Sequence, residues 1–165
     1  MPEPAEILPL NEAEQAWLAE QLTRARELGL TSIDALEEFF EAQRSAWYEQ
    51  REDRRPDPSP QVTLIGAALG QMLIEACDLE WSVLTDEQGT ALAVTGETTS
   101  IALLPMSSVA KRWTGETMTS LPEYLELASA EVERLRRAAA RDLTSPDEPA
   151  DRGQRTRGRR HRSRR

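Results

Sequence analysis

The sequence predicts an α+β fold: an N-terminal helical hairpin, a central buried helix, a three-stranded antiparallel sheet and a C-terminal helix, with disordered ends. Three observations carry this prediction. Apolar residues recur at helical spacing in separate stretches, short β-type segments broken by glycine turns run from about residue 80 to 104, and the last stretch has no apolar residue to bury.

Residues 1–10, MPEPAEILPL, are Pro-rich and read as a disordered N-terminus. Asn11 followed by Glu14 is an N-cap with a reciprocal acid at the third helical position, and Leu18, Leu22, Ala25 and Leu28 then share a stripe. Gly29 stops this helix. A second starts near Thr31 or Ser32, with Ile33, Leu36, Phe40 and Trp47 on one face, and the short connection makes residues 11–53 an antiparallel hairpin. Pro56, Pro58 and Pro60 mark residues 54–60 as a linker, because proline blocks helix continuation and biases the residue before it to extended geometry.

The α+β core is placed at residues 61–143. VTLIGAALGQMLIEA carries Val62, Ile65, Leu69, Met72 and Leu73 on one stripe, yet its other faces are also small or apolar, which predicts burial on most sides. EWSVLT, TALAVT and TTSIALL then read as three strands, joined through DEQG and GE. Pro105 suits the first turn of a short helix to about Arg112, and Gly115 falls in the polar loop after it. Ser120, Pro122 and Glu123 announce the last helix, whose stripe Leu121, Leu125, Ala128, Val132, Leu135 and Ala139 ends near Leu143. Residues 144–165 form the expected disordered Arg-rich tail.

Charge divides the chain. Residues 151–165 hold eight arginines and one aspartate, +7, which leaves −16 on residues 1–150 of a chain whose net charge is −9. So acidic a body repels phosphate backbones, and any nucleic-acid affinity falls to the tail, through Arg155, Arg157, Arg159, Arg160, Arg162, Arg164 and Arg165. The same arginines also suit a GC-rich coding bias. With no apolar run of spanning length and no signal-like N-terminus, the expected location is the cytoplasm, away from membranes.

Several chemistries are poorly supplied. A structural zinc needs about four Cys or His ligands, and the chain offers Cys77 and His161, so no metal and no cofactor is expected. His161 lies in the tail, where it cannot be held in register with a nucleophile. Cys77, close to Asp78 and Glu80, reads as a small core residue rather than a reactive thiol. GAALG, Gly66 to Gly70, reads as a close-packing surface inside a helix and not as a phosphate loop, since no GKS or GKT follows. Most carboxylates fall on solvent faces. Asp86 and Glu87, with Glu80 nearby, are the acid cluster nearest a sheet edge, and Lys111, Arg112 and Trp113 form a body segment where cations precede an aromatic. These five, Asp86, Glu87, Lys111, Arg112 and Trp113, are the candidate interaction residues.

From about Val62 to Met118 the chain resembles a bacterial family, the domain of unknown function 3806. The matching features are LIGAALGQMLIEA, the Trp81 strand, Asp86, Glu87 and Gly89 in the first turn, and Pro105, Met106 and Lys111 to Trp113 with Glu116 beyond. The resemblance implies a small compact domain and brings no catalytic residue with it. The absence of a catalytic constellation, together with an acidic body joined to a basic arm, leads to the expectation of a noncatalytic protein-interaction or regulatory module. The alternative is a nucleic-acid-associated protein binding nonspecifically through its tail, and a carboxylate-dependent enzyme comes third.

Overall fold

The computed structural model describes residues 5–97 and 101–144, so the tail arginines lie outside the described residues. Strand β1 (Glu6–Leu8) leads into α1 (Glu12–Glu27) and α2 (Ile33–Glu49). A short 3-10 turn (Glu52–Arg54) precedes α3 (Ser59–Cys77). Strands β2 (Glu80–Asp86), β3 (Gly89–Thr95) and β4 (Ala102–Leu103) follow, then α4 (Pro105–Trp113) and α5 (Leu121–Thr144).

Local chemistry fixes the helix ends. At α1 the Glu14 amide donates to Asn11 Oδ1 at 2.9 Å and the Asn11 amide to Glu14 Oε2 at 2.8 Å, a complete capping box. At its other end the Gly29 amide donates to Arg26 O and the Leu30 amide to Ala25 O, with Gly29 at φ +76°. This Schellman turn requires a left-handed residue, and glycine adopts it without a Cβ clash. It also buries Leu30 beside Ala25 in the core.

Helix α3 is the centre of the molecule. Its residues from Leu64 to Gly70 are all buried, and it touches α1, α2, α4, α5, β2 and β3. A Cβ on Gly66 would stand 2.8 Å from Met106 Cα, and one on Gly70 would overlap the Trp81 ring. The two glycines therefore let α4 and β2 approach α3 more closely than any side chain permits. Core residues from the hairpin, Ala25, Leu36 and Phe40, share one cluster with Ile65, Leu69, Val109 and Val132. The Pro-rich stretch thus joins two parts of a single core.

The sheet corrects the sequence reading. It has four antiparallel strands in the order β1-β2-β3-β4, because residues 6–8, read as part of a disordered N-terminus, form an edge strand. Its register is Glu6↔Thr85, Ile7↔Leu84 and Leu8↔Val83. Three residues between prolines are too short for period-2 alternation to show, so only the pairing surface of β2 defines this strand. Among the described residues no helix is long and apolar enough to cross a membrane.

Candidate functional site

The five residues singled out from sequence occupy two places. Asp86 and Glu87 lie at the β2–β3 turn, where Asp86 Oδ1 accepts the Gln88 amide at 2.8 Å, ordinary chemistry for closing a hairpin. Lys111, Arg112 and Trp113 end α4, and no hydrogen bond or ion pair among the described residues links them to the turn.

Two of the α4 residues face inward. Arg112 is 8% exposed; its Nε donates to Thr119 O at 2.7 Å, its NH1 donates to Ser108 O at 2.8 Å, and its guanidinium stacks over the Tyr124 ring at 4.7 Å. Burial pulls its pKa below the ordinary arginine value, opposed by Tyr124, Glu37 and Glu123. Trp113, 2% exposed, meets Phe40 and Trp47 edge-on, each at 6.0 Å between ring centroids. Its carbonyl accepts from Arg44 Nε at 3.0 Å and from the Tyr48 hydroxyl at 2.9 Å, so α2 caps the C-terminus of α4. Arg112 and Trp113 are therefore fastenings between α4, α2 and the start of α5. Lys111 alone of the three is exposed.

Cys77 is buried at the end of α3, with Sγ 3.4 Å from Ser129 Oγ. Arg136 from α5 donates to Asp78 O at 2.9 Å and pairs with Glu97 at 3.0 Å, holding the α3–β2 junction. That ion pair keeps the Glu97 carboxyl below the usual carboxylate range. Among the described residues no group of three His, Cys, Asp or Glu side chains is placed to hold a metal ion.

A sizeable concavity lies elsewhere. An open groove of about 610 Å³ runs between β1, α1 and the first residues of β2. Leu8 and Leu10 form one wall; Leu18, Ala19 and Leu22, on one face of α1, form the second; Glu80 and Trp81 form the third. Leu8 is 41% exposed here, and the Ser82 hydroxyl is already engaged with Thr95 Oγ1 at 2.7 Å. The groove exists because β1 stops early. Its ladder ends at Leu8↔Val83, Pro9 turns the chain away towards α1, and Glu80–Ser82 keep a strand edge with no β1 residue opposite.

Sequence reasoning missed this site because its wall includes residues assigned to a disordered end. The available signal was EIL between two prolines, an apolar pair directly ahead of a capping box.

Comparison with known families adds one finding. Residues 43–124 match the model for the domain of unknown function DUF3806, a stretch from the last turns of α2 into the first turn of α5. The chain carries a DUF3806 domain. The DUF3806 match supplies the sheet side of the groove, Glu80 to Ser82, whereas β1 and α1, which supply the other two walls, precede it. No curated protein and no solved structure gives a significant match to the chain.

Proposed function

We propose that this chain is a noncatalytic protein-interaction module that receives a partner segment in the groove between β1, α1 and β2. The observation that carries the reading is the groove itself: an open, leucine- and tryptophan-walled channel bordered by an unpaired strand edge. Polar groups beside and away from the groove are committed to the fold, Arg112 to the Thr119 and Ser108 carbonyls, Asp86 to its own turn and Ser82 to Thr95.

Ala19 provides the test, because it is exposed and lines the groove, so bulk added there fills the channel without disturbing the core. Peptides selected by display against the full chain are to be titrated against the wild type, Ala19→Trp and, as a control on α5, Ala140→Trp. The reading expects at least a tenfold loss for Ala19→Trp and none for Ala140→Trp, with unchanged thermal melting. Equal binding to all three proteins, or no selected peptide, would overturn it.

A further inference from the structure

We infer that the groove takes its partner as an added β-strand, and that the partner is an extended segment of alternating aliphatic residues with basic flanks. This rests on the interaction reading above and names the mode and chemistry of the partner.

The direction of the backbone groups follows from the sheet. The Gly96 amide donates to Ile101 O at 3.1 Å, towards the β4 side. Backbone groups alternate along a strand, so those of Val94 also point to β4 and those of Ala93 and Thr95 point to β2. Their partners in the register, Ser82 and Glu80, then face β3, while Trp81, Val83 and Thr85 present N–H and C=O on the β1 side. Leu8 stands opposite Val83 and Glu6 opposite Thr85. Trp81 is next in that series, and among the described residues the ladder supplies nothing opposite it.

An unpaired edge at the floor of an apolar channel is the arrangement used in strand addition, where main-chain hydrogen bonds provide affinity and alternate side chains provide specificity. The stretch Glu80–Ser82 without a β1 residue opposite is about 10 Å long at roughly 3.3 Å per residue, with the Trp81 N–H and C=O at its centre, which fits a short segment. Side chains on one face of that segment reach the leucine walls from α1 and the turn after β1.

Charge selects the flanks. Glu80 stands at the edge, joins no ion pair among the described residues, and belongs to a body at −16. A cationic flank is drawn to it and an acidic one is repelled. The chain's own tail has the charge but lacks aliphatic residues from Asp151 onward, so it does not supply this segment.

The probe is a capped synthetic peptide of sequence RVTVTVR, titrated into the full ¹⁵N-labelled chain. Two forms N-methylated on alternate residues each block one hydrogen-bonding edge, and EVTVTVE carries acidic flanks. Binding of RVTVTVR should slow exchange of the Trp81 amide at least tenfold, and at least one methylated form should lose tenfold or more in affinity. EVTVTVE should bind at least tenfold more weakly. If both methylated forms bind like the parent while Ala19→Trp still blocks them, strand addition is wrong and the groove reading stands. If Ala19→Trp leaves RVTVTVR binding unchanged, the groove reading itself fails. Equal binding of EVTVTVE overturns the basic-flank assignment, and no binding of RVTVTVR at millimolar concentration overturns the proposal as a whole.

Discussion

Arg112 shows how far a residue's role depends on what meets it. Lysine, arginine and tryptophan in succession made the end of α4 a candidate interaction segment; in the fold Arg112 satisfies the carbonyls of Ser108 and Thr119 and stacks on Tyr124. No local pattern announces these partners, since the Thr119 carbonyl and the Tyr124 ring come from the loop and helix beyond α4. Lysine in its place keeps the charge but cannot make the forked contacts or the stack. Arg112→Lys should therefore lower unfolding free energy by about 1.5–3 kcal/mol, the range for hydrogen bonds from charged groups, as read by urea denaturation. A change within about 0.5 kcal/mol would mean that the guanidinium fastens nothing.

Elements with strong local grammar were legible in the sequence. The Asn11–Glu14 capping box, the Gly29 stop and the all-round apolar character of α3 are signals within a few residues, and each corresponds to an observed feature. Strand β1 was not legible, because three residues become a strand only through pairing with β2. The glycines of α3 stand between these cases. Their spacing indicated close packing, while the partners, Met106 from α4 and Trp81 from β2, required the fold. Gly70→Leu should cost about 1–3 kcal/mol by overpacking the Trp81 ring, and Gly66→Leu a similar amount against the Met106 backbone. Chemical denaturation of both variants reads this directly, and neutral outcomes would mean that α3 does not lie this close to α4 and β2.

At the scale of the whole molecule, the described fold is one core built around α3, to which the C-terminal tail contributes no apolar residue beyond Ala150. A chain ending at Ala150 should accordingly melt cooperatively within a few degrees of the full-length midpoint; loss of the transition would show that the tail takes part in folding. The tail does shift the electrostatics, since its removal leaves −16 where the full chain has −9. A cationic partner should therefore bind the shortened chain at least as tightly, with a steeper salt dependence. The central claim, that the β1–α1–β2 groove is where this protein meets its partner, is tested most directly by amide hydrogen exchange on the full chain with and without a display-selected peptide. Protection gained at the Trp81 amide and at the groove-lining segments Ile7–Leu8, Leu10 and 15–22 is the predicted result. Protection confined to the Asp86–Glu87 turn or to the Lys111–Trp113 end of α4, with the groove unchanged, would contradict it.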